Sequence, residues 1–195
     1  MLRTFLLTLA VSSVAAAQGL EVSQEIERRP WDHLFGLGAY ATGWGGSYGA
    51  AGVGAAIRVE PFTFLGVDLF GEALWVESPA GFRHDHPIGF NLYVPFRFGR
   101  FRLRPLIGMC VTLSFIEPLE RDAPRADDVL VGAHAGAALE FALARRVSLF
   151  ATGKAVVWVG HDRTVMGWTG ALDNTVQPFV VGQATLGLMV HLGER

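Results

Sequence analysis

The sequence predicts an all-β fold: an eight-stranded antiparallel up-and-down transmembrane β-barrel, with short periplasmic turns and longer extracellular loops. Three observations carry that prediction. The chain opens on a secretory leader, segments of about ten residues alternate apolar and polar positions, and long and short connectors alternate between them. No apolar run in the mature chain is long enough for a membrane helix, although 51% of residues are hydrophobic and 24 are glycine. A chain of that composition that enters a bilayer does so as a closed sheet, because only helices and closed barrels satisfy every backbone group in lipid.

The leader has a basic start at Arg3, an apolar stretch from Phe5 to Val14, and Ala15-Ala16-Ala17 before Gln18. This pattern predicts a signal peptide over residues 1–17, cleaved after Ala17. The apolar stretch is too short to anchor the chain as a single helix. Without Arg3 the 16 basic residues become 15 against 18 acidic, a formal charge of −3. Such a balance offers no field for nucleic acid or for a polybasic membrane patch. Cys110 is the only cysteine, so stability must come from packing and backbone pairing instead of an internal disulfide.

Residues 18–32 are charged and lack alternation, and read as a periplasmic lead-in. Residues 33–195 read as the barrel, with strands near 33–43, 51–60, 63–75, 88–98, 102–115, 129–143, 147–159 and 176–192. Glycines between Gly36 and Gly54 fall at alternate strand positions, where they relieve crowding inside a narrow barrel. The fourth segment sets Ile88, Phe90, Leu92 and Val94 against Asn91, Tyr93 and Arg97. The fifth sets Leu103, Ile107, Met109, Val111 and Leu113 against Arg102, Arg104, Thr112 and Ser114. In the seventh, Leu149, Ala151, Ala155 and Val157 oppose Ser148, Thr152, Lys154 and Trp158; in the last, Leu186, Leu188 and Val190 oppose Gln183, Thr185 and His191. Charges keep to one face, expected to be the inner one. A soluble barrel with the faces inverted is the alternative, and would enclose a small apolar ligand in the manner of a lipocalin.

Aromatic residues suggest two girdles. Phe62, Phe96, Phe98, Phe101 and Phe141 fall at the short-turn rim, and Trp44, Tyr48, Trp75, Trp158 and Trp168 near the long-loop rim. Bilayer interfaces favour that arrangement. In layout, the chain resembles the small eight-stranded outer-membrane barrels of the OmpA and OmpX type over nearly all of its mature length. The resemblance implies a bacterial outer-membrane location and a barrel too narrow for an open porin. Barrels of this type usually end on an aromatic residue read by the assembly machinery, whereas this chain ends Val190-His191-Leu192-Gly193-Glu194-Arg195.

The candidate site is a polar network in the lumen: Arg58, Asp68, Glu72, Asn91, Arg97, Arg102, Arg104, His134, Glu140 and Lys154. Counting in from the turns lets Arg104 pair with Glu140 and sets Glu72 opposite Asn91, and Arg58 falls within reach of Asp68. The network reads as a structural plug in preference to a gate of switchable ion pairs. His134 and Cys110 come out side by side, but two ligands do not make a metal site. His84-Asp85-His86 has the donors for a divalent metal with help from His161 and Asp162, but reads in preference as solvated loop. Ser114 and His134 come out separated along the barrel, and no catalytic motif is present, so no catalytic, metal or cofactor-binding residue is assigned. The expectation is a monomeric, non-enzymatic barrel in outer-membrane lipid, with a structural or surface-interaction role. Its loops at Trp44–Tyr48, Arg83–His86, Glu120–Asp128 and His161–Asn174 would meet a surface ligand or envelope partner. A narrow pore or small-solute transporter is the alternative role.

Overall fold

The computed structural model describes residues 31–46, 49–76, 81–118, 126–160 and 179–194. The expected signal peptide, most of the lead-in, Tyr48, His161, Asp162 and Trp168 lie outside these residues. The elements are β1 (His33–Gly46), β2 (Ala50–Val59), β3 (Gly66–Val76), β4 (Gly81–Tyr93), β5 (Phe96–Phe98), β6 (Phe101–Pro118), β7 (Ala126–Ala144), β8 (Val147–Gly160) and β9 (Phe179–Glu194).

All pairings are antiparallel and join neighbours in the order β4-β3-β2-β1-β9-β8-β7-β6-β5; an additional β4–β6 pairing closes the ring. Closure leaves no open sheet edge, which lipid would not tolerate. β5 continues the wall of β4 after Val94 and Pro95, so nine strands make eight walls. Pro95 has no N–H to give to the ladder and interrupts it there. Gly99 then takes φ 56° at the first corner of the two-residue turn into β6, where a left-handed backbone favours glycine.

Period-two alternation runs through the walls, and its phase matches the sequence expectation. Val53, Ile57, Leu69, Ile88, Ile107, Leu139 and Leu186 face outward and are exposed, while Arg58, Asp68, Arg102, Arg104 and Glu140 are buried inside. An outside this apolar needs lipid around it. The soluble, inverted alternative is thereby overturned. Inside, bulky rings fit because glycine stands opposite them: a methyl group added at Gly54 would overlap Tyr40, and one at Gly132 would overlap Trp158.

Two expectations are corrected. The β3–β4 ladder runs five residues further than the apolar pattern suggests, to Arg83, so His84, Asp85 and His86 lie within β4 instead of a loop. Asp85 points inward and is paired with Arg83, hence it is unavailable to a loop metal site. The girdle at the far rim is also thinner than expected: Trp75 faces outward at 54% exposure, but Trp44 and Trp158 are inside at 5% and 0%. Both share the phase of the inward positions of their strands, Tyr40 and Thr42 in one case and Lys154 and Val156 in the other. Strand parity overrides proximity to the interface. Phe62, Phe96, Phe98 and Phe101 at the short-turn rim do face outward.

Candidate functional site

The lumen is filled level by level, from ionic groups at one rim to rings and aliphatic side chains nearer the other. Near the short-turn rim, three arginines meet three carboxylates. Arg58 from β2 and Asp68 from β3 stand opposite each other in the ladder. The Arg58 guanidinium donates to both Asp68 oxygens, from Nε at 2.8 Å and Nη2 at 3.1 Å. Its Nη1 reaches across the lumen to Glu140 at 2.8 Å. Arg102 donates from Nη2 to Glu140 at 2.7 Å and from Nη1 to Glu60. Arg104 donates from Nη1 to Asp68 at 2.8 Å, and its Nε lies 3.3 Å from Glu140.

Glu140 is the hub of this layer. It is 0% exposed, faces three guanidiniums, and also accepts from the Ser148 hydroxyl. Burying an ion costs several kcal/mol unless partners and hydrogen bonds offset it, and here each carboxylate has at least two donors. Planar guanidiniums suit the task because each binds two carboxylates in fixed directions. Arg97 is half-buried at the rim, with Nη2 3.6 Å from Glu60. Below the ionic groups Tyr93 donates its hydroxyl to Glu60 at 2.8 Å and lies with its ring 4.7 Å from the Arg104 guanidinium.

Midway up the lumen, Glu72 accepts from Tyr40 at 3.0 Å, Trp44 Nε1 at 3.2 Å and Gln183 Nε2 at 2.7 Å. Asn91 is not its partner. The longer β3–β4 ladder sets Asn91 opposite Asp68, and the Asn91 carbonyl oxygen lies 2.8 Å from His134 Nε2. The expected Glu72–Asn91 pairing came from placing the turn too low, which shifts every opposed pair in the hairpin. His134 and Cys110 do lie together, Nδ1 to Sγ 3.8 Å, and both are buried. Asn91 takes the other ring nitrogen, so this contact is a packed pair. Among the described residues, no group of three or more His, Cys, Asp or Glu could hold a metal. Lys154 sets its ammonium 4.3 Å above the Phe70 ring. A cavity of about 30 Å³ opens here between Lys154, Glu72, Asp68 and Arg104, a volume on the scale of one or two waters.

Toward the far rim the filling changes character. Leu74, Leu130, Val156, Trp158 and Val181 are at most 1% exposed, and Trp44 stacks on Trp158 with centroids 5.7 Å apart. Above them Arg83 and Asp85 form a bidentate pair at 2.7 and 2.8 Å, and Arg83 also donates to Ser114 at 3.3 Å.

Several participants lie outside the expected network: Glu60 and Tyr40 were not singled out, and Tyr93, Ser148, Gln183 and His191 were placed on the inward face without a partner. Glu60 holds the same parity as Arg58 but stands just past the strand, before Pro61. The expected strand 51–60 already included it, and its shared parity with Arg58 is the signal that could have found it. One serine, histidine and acid do meet, since His191 Nε2 lies 2.8 Å from Ser148 Oγ and 3.2 Å from Glu140. Both contacts use the same ring nitrogen, whereas a catalytic triad places the acid on Nδ1. Ser148 is fully enclosed, and Ser114 with His134 are six ladder steps apart, Ser114 standing opposite Asp128 and His134 opposite Gly108.

No protein-family profile matches the chain, and no curated protein does. Among solved structures the barrel is similar to Neisserial surface protein A (NspA), at 13% identity, over 81% of this chain and 96% of that one, with a TM-score of 0.56. It is similar also to a major outer membrane protein from Thermus thermophilus, at 15% identity, over 82% of this chain and 100% of that one, with a TM-score of 0.59. At these identities the likeness speaks to fold: the chain has the architecture of the small eight-stranded outer-membrane barrels.

Proposed function

We propose that this chain is a monomeric, non-enzymatic barrel of a bacterial outer membrane. Its role is structural or interactive, a rigid scaffold whose connecting loops meet a surface ligand or an envelope partner. The observation that carries the reading is the division of faces: apolar residues outward around every wall, and ionic and aromatic residues buried inward. A scaffold of this kind holds its loops in place and offers no path for a solute. Ser148 and His191 are buried inside the barrel, which supports a non-enzymatic role. Removal of residues 1–17 belongs to the same reading, with the periplasmic lead-in and the short turns on the inner side of the membrane.

Cell fractionation tests this, with heated and unheated samples run side by side on a gel. Recovery in the outer-membrane fraction, a band whose mobility changes on heating, and a mature N-terminus at Gln18 are the expected results. A detergent-free soluble protein would overturn the membrane assignment. Discrete channel events in planar bilayers would overturn the closed lumen and favour the narrow-pore alternative.

A further inference from the structure

The two ends of the ionic layer are closed by different means. On one side stands the aromatic and aliphatic layer around Trp44 and Trp158. On the other side lies the short-turn rim, where turns alone would leave the guanidiniums open to water. Trp31 and His33 occupy that opening. The Trp31 indole is 6% exposed, lies with its ring 4.6 Å from the Arg102 guanidinium, and donates Nε1–H to the Gly99 carbonyl at 3.0 Å. Its edge meets His191 with centroids 6.3 Å apart. His33, 4% exposed, stacks on His191 at 5.3 Å. Its ring nitrogens lie 2.7 Å from the Arg145 carbonyl and 3.2 Å from the Gly193 carbonyl. Leu34, next along, accepts from the Glu60 amide at 2.9 Å.

In four residues the chain therefore touches the end of β2, the β5–β6 turn, the β7–β8 turn and the end of β9. A strand that merely began at the rim would touch only its two ladder neighbours.

We propose that Trp31 and His33 form a strap that seals the lumen at the short-turn rim, in series with the aromatic layer, so that the ionic network is a compartment closed at both ends. The ion pairs themselves need not break for the compartment to open; lifting the strap is sufficient. Lifting it admits water and salt to Arg102, Glu60 and Glu140 but opens no path through the barrel, because the second seal remains. The inference goes beyond the scaffold reading and does not depend on what the loops bind.

The test uses the full mature chain folded in detergent micelles, with unfolding by urea followed at about 0.1 M and about 1 M salt. Over that range the Debye length falls from about 10 Å to about 3 Å. Ion pairs shut away from solvent respond little to salt, and pairs that water reaches are screened. The wild-type midpoint is expected to hold nearly constant. In Trp31→Ala it is expected to fall at the higher salt, whereas Trp31→Phe, which keeps a ring over Arg102, should behave as wild type. Trp75→Ala, on the lipid-facing surface, is the control and should add no salt response. If Trp31→Ala does not fold, His33→Ala removes the other half of the strap and should show the same salt response. An equal salt response in wild type and the strap variants overturns the proposal. Channel events in planar bilayers from Trp31→Ala alone overturn the series arrangement, since the aromatic layer would then be no seal.

Discussion

The lower and upper halves of the lumen solve one problem by opposite physics. A narrow barrel must fill its interior without voids and without unpaired polar groups. In the lower half, Arg58, Arg102 and Arg104 answer Glu60, Asp68 and Glu140, and every group depends on partners from other walls. In the upper half, Trp44, Leu74, Leu130, Val156, Trp158 and Val181 fill space by shape. The difference matters for failure. Removing an apolar side chain leaves a hole whose cost is local, whereas removing one carboxylate strands several cations at once. The same wall can carry both halves because strand parity only chooses inward or outward; it does not require the inward side to be polar.

Breaking the lower half should have the largest effect. Glu140→Ala leaves Arg58, Arg102 and Arg104 short of a shared acceptor, and a stability loss of about 3–5 kcal/mol is expected from urea unfolding in micelles. A loss below about 1 kcal/mol would mean that water enters and rescues the arginines, contrary to an enclosed layer. Trp158→Ala breaks the upper half. The expected loss is about 3 kcal/mol, and it should vary less with salt than the loss in Glu140→Ala, because the side chain removed carries no charge and pairs with none. An equal salt dependence there would show that the two halves are energetically one.

Gly54→Ala acts at the junction. The added methyl group overlaps the Tyr40 ring, whose hydroxyl donates to Glu72 at 3.0 Å. Overpacking of this kind costs about 1–3 kcal/mol, and near-UV circular dichroism should report a displaced tyrosine. An unchanged spectrum with unchanged stability would mean that the ring has room to move. The smallest effect is expected at Cys110→Ala. The thiol makes one long contact to His134 at 3.8 Å, so about 1 kcal/mol or less should be lost. A much larger loss would mark Cys110 as a structural partner of His134 and Asn91.

What could be read in advance divides along the same line. Leu149, Ala151, Ala155 and Val157 against Ser148, Thr152 and Lys154 announce a strand and its faces with no tertiary information, since side chains alternate wherever the backbone is extended. That Arg58 comes within reach of Asp68 was legible too, but not the register: the expected two-residue turn is a six-residue connection between Val59 and Gly66, and it is this that sets the two directly opposite. Asp68 opposite Asn91 was not legible. Register in the β3–β4 hairpin depends on where the connection turns, and the sequence over Gly81–Pro87 hides its alternation behind Arg83, His84, Asp85 and His86. The tryptophans misled for a related reason: a ring near an interface suits lipid and lumen equally well, and only the phase of Trp44 and Trp158 decides.

By itself, the sequence determined that this chain is all-β, that its strands are amphipathic, and which residues share a face. Those properties are local, set by period-two geometry and by the placement of glycine and proline. Only the tertiary structure decided which carboxylate meets which guanidinium, that Glu140 is the hub, that the lumen changes from ionic to aromatic along its length, and that Trp31 reaches the turn at Gly99. Each of these joins residues on separate walls. Such contacts depend on ring closure and the stagger between strands, quantities that no single segment encodes.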